Sequence, residues 1–241
     1  CLNEEHYLPI ILQDLQKQTK KNFEVIIVDG GSVDQTREKA LAFEKSLPLR
    51  FIKSDKRGVS YQRNLGAKEA KGAYLFFLDA DTRIDSDTLE KVGGYVEREK
   101  RLLYLLLPKP EKFNIIHTIL FGISTASVIF LQKIGKAFSF GPGIVIDKDL
   151  FEKIGKFDEK AYVAEDHNLV WKAWQAGVKA RFMPDVKYVF SMRRGTLKIA
   201  LQYAVFSAMT FFNGIVYSSP IKYNMGGSAH KLPKKETKET K

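Results

Sequence analysis

A short apolar run that ends in two acids constrains the fold of this chain most. Five apolar or aromatic residues at 74–78 are followed directly by Asp79, Ala80 and Asp81. The run is long enough for one buried strand and too short for a typical helix. Both carboxylates are then expected at the carboxyl end of a strand, the edge where open α/β sheets bind ligands. Because an unpaired charge is costly to bury, these acids need a partner.

Two hard carboxylates in a cleft suit Mg²⁺ or Mn²⁺, and such ions usually enter with substrate phosphates. The pair Asp79 and Asp81 therefore predicts a metal-dependent site for a phosphate-bearing substrate. The alternative is that this common triplet only begins a loop, with Asp81 capping a turn. The residues alone leave both interpretations open.

Strand and helix patterns alternate around this run. The predicted helices are 5–18, 34–45, 60–70, 87–100, 148–154 and 165–176. The predicted strands are 23–28, 49–53, 74–78, 102–107, 180–183 and 186–190, and the stretch 139–146 is predicted as a turn that leads into a further strand. Pro108 and Pro110 are expected to end strand 102–107. The alternation predicts an α/β fold with a mostly parallel sheet flanked by helices. Because the sequence begins in a strand-to-helix turn, we expect that a strand precedes Cys1.

Composition narrows the class of partner. The chain has 241 residues and a formal net charge of +11, which indicates phosphorylated substrates, nucleic acid or an acidic membrane surface. No interleaved aromatic and basic motif for nucleic acid is visible, so we expect no nucleic-acid partner. The single cysteine, Cys1, permits no internal disulfide and fits a reducing compartment.

Two apolar stretches predict contact with a membrane. The stretch 113–131 is long enough to cross a bilayer, but its place between sheet elements favours an interfacial or buried helix. The stretch 197–217 is the stronger candidate, either lying in the interface or spanning. We therefore expect a folded domain at 1–195, an apolar membrane-associated helix at 196–219 and a disordered basic tail at 220–241. The expected location is the cytoplasm, at the inner face of the cell membrane.

Six motifs in order resemble the family 2 glycosyltransferases, which have the GT-A fold. The motifs are Asn3-Glu4-Glu5 with Leu8, Leu12, Leu15 and Gln18-Thr19; Val28-Asp29-Gly30-Gly31-Ser32; Gly58 with Arg63-Asn64-Leu65-Gly66; Leu78-Asp79-Ala80-Asp81-Thr82; Gly155-Lys156-Phe157-Asp158-Glu159; and Glu165-Asp166. The resemblance covers roughly residues 2–194. It implies that residues 1–195 have a GT-A fold, which is a Rossmann-like mixed, mostly parallel sheet flanked by helices.

The resemblance implies a role for each matched residue. Asp81 and Asp79 would hold the Mg²⁺ or Mn²⁺ ion. Asp166 would be the catalytic base, and Glu165 would orient the loop or help to bind the acceptor. The nucleotide-sugar would be bound by Asn3, Glu4, Asp29, Arg63, Asn64, Asp79, Arg193 and Arg194.

Simpler interpretations stay open beside these roles. Asp29 could form a turn, Glu4 could begin a helix and Arg63 could be a solvated surface side chain. Glu165 and Asp166 could cap a helix, where carboxylates are favoured by the dipole. The pair at 193–194 could contact lipid headgroups instead of a diphosphate.

The resemblance implies an inverting transfer from a nucleotide-diphosphate sugar to an acceptor hydroxyl or phosphate, which could be lipid-linked. The rival is a membrane-tethered nucleotide-sugar-binding protein without turnover, which would need Asp29 and Arg63 but not Asp166. The chain departs from the family pattern at Gly30, at Asn168 and at 190–192, where the family often has two acids and a metal-binding histidine. The departures at Gly30 and at 190–192 weaken the predicted metal site, whereas Asn168 is expected to alter local hydrogen bonding and not the chemistry.

Overall fold

The structure is a computed structural model that describes residues 1–110, 141–161 and 164–190, together with positions 122, 126, 129, 130 and 139. Most of the apolar stretch 113–131 lies outside the described residues. So do Arg193, Arg194, the predicted helix at 196–219 and the tail at 220–241. Among the helices that are described, none is both long and apolar enough to span a bilayer.

Helices and strands alternate through the first part of the chain, as predicted. The helices are α1 (Leu8–Gln16), α2 (Thr36–Leu41), α3 (Val59–Glu69), α4 (Thr88–Glu99), α5 (Lys148–Lys153) and α6 (Glu165–Gln175). The strands are β1 (Val25–Asp29), β2 (Leu49–Lys53), β3 (Tyr74–Phe77), β4 (Arg83–Ile84), β5 (Leu103–Pro110), β6 (Ile144–Asp147) and β7 (Arg181–Phe190). Strand β3 covers most of the apolar run at 74–78 that precedes Asp79 and Asp81.

The described strands form mixed sheets, as the GT-A resemblance implied, but they are less uniformly parallel than the alternation of elements alone predicted. Strands β1 and β2 form a parallel pair, joined through α2 as a βαβ unit requires. The other five strands form a mixed sheet in the order β3-β6-β5-β7-β4. Within it only β5 and β7 are parallel, whereas β3–β6, β5–β6 and β4–β7 are antiparallel. Alternation of elements does not report strand direction, so the sequence could not reveal this.

The prolines do not end β5, contrary to the sequence expectation. The amide of Leu106 donates to Gly143 O at 2.9 Å, on the side of β6. By alternation the nitrogens of Pro108 and Pro110 face the same side, where pairing with β6 has already stopped at Leu105. Because no ladder hydrogen bond is needed there, the strand continues along β7.

The segment 181–190 is one strand and not the predicted two. Its pairing with β5 passes directly from Met183 to Lys187, so Pro184 lies in an irregularity of the register. A bulge accommodates the proline without ending the strand. Beneath it, Met183 and Val186 are buried in the core with α1 and α4.

Helix α3 lies close against β1, and this contact positions the site. A Cβ atom at Gly66 would be 3.2 Å from Val28 Cγ2, so glycine permits the close approach. Gln62, on the same helix, donates to Val28 O at 3.0 Å. The next residue, Arg63, is thereby held beside the carboxyl ends of the strands.

Candidate active site

Arg63 joins three carboxylates that come from distant parts of the sequence. Its Nη1 donates to Asp166 Oδ1 at 2.7 Å and to Glu165 Oε1 at 3.1 Å. Its Nη2 donates to Asp79 Oδ1 at 2.9 Å. The structure thus brings together the acid that follows β3 and the acids that begin α6. We call these four residues the acid crevice.

Local structure explains why each acid points here. After β3, Thr82 donates its amide and its hydroxyl to Asp79 O, at 3.1 and 2.7 Å, and closes a tight turn over 79–82. Glu165 and Asp166 occupy the first turn of α6, where the helix dipole favours negative charge. The N-cap of α6 is Ala164, and its side chain makes no capping bond. The acids' side chains instead bind Arg63.

The solvated-arginine interpretation is wrong, because the Arg63 side chain is only 12% exposed. Burial disfavours the charge of its guanidinium, but the carboxylates of Asp166, Asp79 and Glu165 outweigh this effect and raise the pKa of Arg63 above its ordinary value. The cation is therefore permanent. Three carboxylates around one guanidinium leave the acid crevice with excess negative charge.

Asp166 has an environment suited to proton transfer near neutral pH. Burial raises the pKa of Asp166 to about 7 against the opposing attraction of Arg63, and Glu165 and Asp79 add to the rise. A general base is most effective when its pKa lies near the working pH. The neighbouring His167 is buried too, which lowers the pKa of its imidazole to about 4 and keeps it neutral at pH 7.

Asn64 faces a loop and not open space. Its Oδ1 accepts from Phe157 N, and its Nδ2 donates to Phe157 O and to Glu159 Oε1, each at 3.0 Å. Both amide hydrogens are used, so a predicted contact with a nucleotide-sugar would have to compete with these bonds. The Phe157 ring in turn lies 5.2 Å from the Arg63 guanidinium carbon.

Asp29 forms the turn that the sequence left open as its alternative role. Its carboxylate accepts from Gly31 N at 3.2 Å, from Ser32 N at 3.0 Å and from Ser32 Oγ at 2.5 Å. Gly31 has φ of 87°, a backbone conformation that favours glycine. Asp29 is only 4% exposed. A contact between Asp29 and a nucleotide stays a prediction.

Asn3 and Glu4 are fastened to the segment that follows this turn. Asn3 Oδ1 accepts from Val33 N at 2.9 Å, and Asn3 N donates to Ser32 Oγ at 2.8 Å. Glu4 is buried, and its amide donates to Thr36 Oγ1 at 2.7 Å. The structure therefore places both residues against the segment after Asp29, and a contact of either one with a nucleotide-sugar stays a prediction.

The turn and the acid crevice both lie near residue 1. The nitrogen of Cys1 donates to Val28 O at 2.7 Å, and the charges that act on it are those of Asp29, Asp79, Glu4 and Arg63. The two groups of predicted residues are thus close to each other.

A cleft of about 400 Å³ opens beside the acid crevice, between the start of α3 and the segment that carries Glu159 and Glu165. Its basic rim includes Lys56 and Arg57, which the sequence analysis missed. Arg57 donates from Nε to Gly30 O at 3.2 Å and from Nη2 to Gly31 O at 3.4 Å. In the sequence, the only signal that Arg57 lies at this rim was its position directly before the motif residue Gly58. A larger cleft of about 580 Å³ runs beside α4 and contains none of the predicted site residues.

The donor set at the acid turn fits a metal that substrate phosphates complete. Among the described residues there is no cluster of three or more metal-binding side chains. Asp79 uses Oδ1 for Arg63, so its Oδ2 and the carboxylate of Asp81 are the hard donors that this turn would offer an ion. Mg²⁺ is commonly held by one or two carboxylates together with substrate phosphates, so the residue types at this turn fit such an ion. The stretch 190–192, where the family often has a histidine, lies outside the described residues apart from the backbone of Phe190.

Comparison with known proteins agrees with this geometry. Residues 1–155 match the family described as Glycosyl transferase family 2. The chain therefore belongs to the family 2 glycosyltransferases, as its motifs suggested. The match ends before α6, so it does not extend to Glu165 and Asp166.

Two curated relatives show how far the similarity extends. An uncharacterized glycosyltransferase of Haemophilus influenzae is 32% identical over 182 residues, which cover 72% of this chain and 59% of the relative. The poly(ribitol-phosphate) beta-N-acetylglucosaminyltransferase TarS of Staphylococcus aureus is 24% identical over 201 residues, covering 80% of this chain and 34% of TarS. The chain thus spans between one third and three fifths of the length of these relatives.

Solved structures show the same GT-A-like fold. S. aureus TarS 1–349 in complex with UDP-GlcNAc has a TM-score of 0.67 at 21% identity, covering 81% of this chain and 57% of that one. The mannosyltransferase PcManGT from Pyrobaculum calidifontis, in complex with GDP-Man and Mn²⁺, has a TM-score of 0.71 at 20% identity, covering 85% and 59%. At this level of identity the likeness supports the fold alone.

Proposed function

We propose that this protein is an inverting glycosyltransferase that moves a sugar from a nucleotide-diphosphate donor to an acceptor hydroxyl or phosphate. The observation that carries the proposal is the bridge that Arg63 makes between Asp166 and Asp79. The bridge sets Asp166, a base with a near-neutral pKa, beside Asp79, which we assign to the donor site. Two TarS structures and PcManGT, in complexes with UDP, UDP-GlcNAc and GDP-Man, are consistent with a nucleotide-sugar donor.

Charge explains why the donor would arrive with a cation. A diphosphate is anionic, and the acid crevice has three carboxylates around one guanidinium. Without a counter-ion, the donor and the crevice would repel each other. We assign Asp81 and Asp79 as the ligands of Mg²⁺ or Mn²⁺. When bound there, the ion would neutralise the charge that develops on the departing nucleoside diphosphate.

Asp166 is the group that we assign to the acceptor. As the acceptor oxygen attacks the anomeric carbon, its proton passes to the Asp166 carboxylate, and the bond from that carbon to the diphosphate oxygen breaks on the opposite face. The electron pair of the broken bond leaves with the nucleoside diphosphate. Arg63 holds Asp166 Oδ1, so the proton is taken by the other oxygen. Glu165 shares Arg63 and helps to fix the orientation of its guanidinium.

The net charge and the apolar stretches support our proposals for the acceptor and for the location of the protein. The net charge of +11 and the apolar segments 113–131 and 197–217 support an acceptor held at an acidic membrane surface, such as a lipid-linked glycan. Arg193 and Arg194 are assigned to the diphosphate or to lipid headgroups. We place the protein in the cytoplasm, at the inner face of the cell membrane.

A panel of donors tests the proposal. Thermal unfolding is measured with UDP-, GDP- and dTDP-sugars, each with and without Mn²⁺, because a ligand that binds only the folded state raises Tm. We expect one nucleotide to raise Tm, more so with Mn²⁺, and that donor to support transfer to a lipid-linked or soluble acceptor. Binding of a donor with no transfer to any acceptor would instead favour the nucleotide-sugar-binding protein without turnover. No binding of any donor would contradict both functions.

A further inference from the structure

The side-chain amide of Asn64 bonds to both the N and the O atom of the Phe157 backbone, in the way that neighbouring strands bond to each other. Its Oδ1 accepts from Phe157 N and its Nδ2 donates to Phe157 O, both at 3.0 Å, across 93 positions of the sequence. The second hydrogen of Nδ2 donates to Glu159 Oε1. Three simultaneous bonds fix the loop at 157–159 against α3 more firmly than packing alone would.

The ring of Phe157 packs against the guanidinium of Arg63. The ring centroid lies 5.2 Å from Arg63 Cζ, within the range of a cation–π contact. The ring is 2% exposed and packs against Phe77 and Phe151, with centroids 4.9 and 5.6 Å away. The guanidinium is therefore fixed by an aromatic ring as well as by three carboxylates.

We propose that Asn64 is a positioning residue for Arg63 and acts through Phe157. Asn64 and Arg63 are consecutive on α3, so their side chains diverge by about 100°. One reaches the acids and the other reaches the loop that carries the ring. By fixing the backbone of Phe157, Asn64 sets the position of the ring and hence that of Arg63 relative to Asp166 and Asp79. This inference rests on the proposed function.

The geometry explains why an amide is needed at this position. An amide presents an acceptor to Phe157 N and a donor to Phe157 O at the same time. The substitution Asn64→Asp would keep the shape of the side chain but set a carboxylate oxygen against Phe157 O and Glu159 Oε1, where nothing can be donated. We therefore expect Asn64→Asp to behave like Asn64→Ala.

A double-mutant cycle tests the proposal in the full chain. The variants are Asn64→Ala, Phe157→Leu, which keeps the backbone bonds but removes the ring, and the two combined. We expect each single change to lower kcat about ten- to hundredfold while donor KM changes by less than about threefold. Because both changes act on the same contact, the double variant should be no slower than the slower single variant.

Glu24→Ala is the matched control. Glu24 accepts from Lys71 N at 2.5 Å and from Gly72 N at 3.0 Å, just beyond the other end of α3. Loss of the Glu24 carboxylate also frees a loop that a side chain holds. If the role of Asn64 is purely structural, Asn64→Ala and Glu24→Ala should therefore have similar effects on Tm. We expect Glu24→Ala to lower Tm without lowering kcat.

A second readout does not need turnover. In protein labelled with ¹⁵N-arginine, the Nη hydrogens of Arg63 should give resolved signals because carboxylates hold them, and Arg63→Lys identifies them. We expect Asn64→Ala to broaden or remove these signals and Glu24→Ala to retain them. If the wild-type protein transfers no sugar at all, the proposed function fails, and this readout alone decides the role of Asn64.

Three results would overturn the inference. The first is an Asn64→Ala variant with wild-type kcat. The second is a rise in donor KM that Phe157→Leu does not share, with additive effects in the double variant, because Asn64 would then contact the donor directly. The third is an Arg63 signal that Asn64→Ala leaves unchanged.

Discussion

The Nη1 atom of Arg63 donates to Asp166 Oδ1 at 2.7 Å, across 103 positions of the sequence. The bond joins the middle of α3 to the first turn of α6, and the same guanidinium reaches Asp79 beyond β3. A cation with a raised pKa thus neutralises part of the charge on a buried base. Because the two side chains form one unit, changes to either should alter the chemistry assigned to both.

The pH profile should report the environment of Asp166. The base must be ionised, and burial raises its pKa to about 7, so kcat/KM should rise with pH and level off above an apparent pKa near 7. Arg63 favours the carboxylate, so loss of its charge should raise this pKa further. We expect Arg63→Met to move the rise of kcat/KM to higher pH. Arg63→Lys keeps a charge and should lower the rate with a smaller shift.

Measurement of kcat/KM over a pH range that brackets neutrality, for the wild-type protein and both variants, checks this expectation. If Arg63→Met and the wild-type protein share one midpoint, the group that titrates is not Asp166.

Removal of metal ligands should weaken Mn²⁺ binding that depends on UDP. We expect Asp81→Asn to lose more affinity than the roughly tenfold cost of removing an outer-shell partner. Free Mn²⁺ measured by electron paramagnetic resonance, with and without UDP, gives the affinity directly. Asp85→Asn, an exposed acid four residues on, is the control and should bind as the wild-type protein does. Equal affinity in both variants would remove Asp81 from the metal site.

Gln18 should contribute strongly to stability. It is fully buried, and its side chain bonds to Asp14 O at 3.0 Å, Asp85 O at 2.8 Å and Leu89 N at 2.9 Å. Gln18→Leu would leave these backbone groups without that partner, at a cost of about 3 kcal/mol in the free energy of unfolding. Gln13→Leu, at an exposed position of α1, should change it little. Denaturant unfolding compares the two, and equal midpoints would contradict the role of Gln18.

The apolar segment 197–217 should bind bilayers. We expect the full chain to sediment with liposomes that contain anionic lipid, and less with neutral liposomes or at high salt, because the chain is strongly basic. A protein that stays in the supernatant with every liposome would contradict the proposed membrane association.

Several elements could be predicted from the sequence because each has a local signal. The apolar run at β3 and the helix that begins at Glu165 are local patterns, and both are confirmed. The direction of β6 and the passage of β5 through Pro108 depend on neighbouring strands, which local patterns do not report. In the site, motif order predicted that Arg63, Asp79 and Asp166 share one function. It could not reveal that Asn64 turns toward Phe157, because consecutive residues of a helix face different partners.

Asp166→Asn tests the central claim most directly. The substitution keeps the size of the side chain but removes the base, so single-turnover sugar transfer should fall about a thousandfold while donor affinity changes little. Asp149→Asn, an exposed acid in the first turn of α5, is the matched control and should transfer at the wild-type rate. Transfer by Asp166→Asn at the rate of this control would contradict the account, because the Arg63–Asp166 pair would then have no part in the reaction.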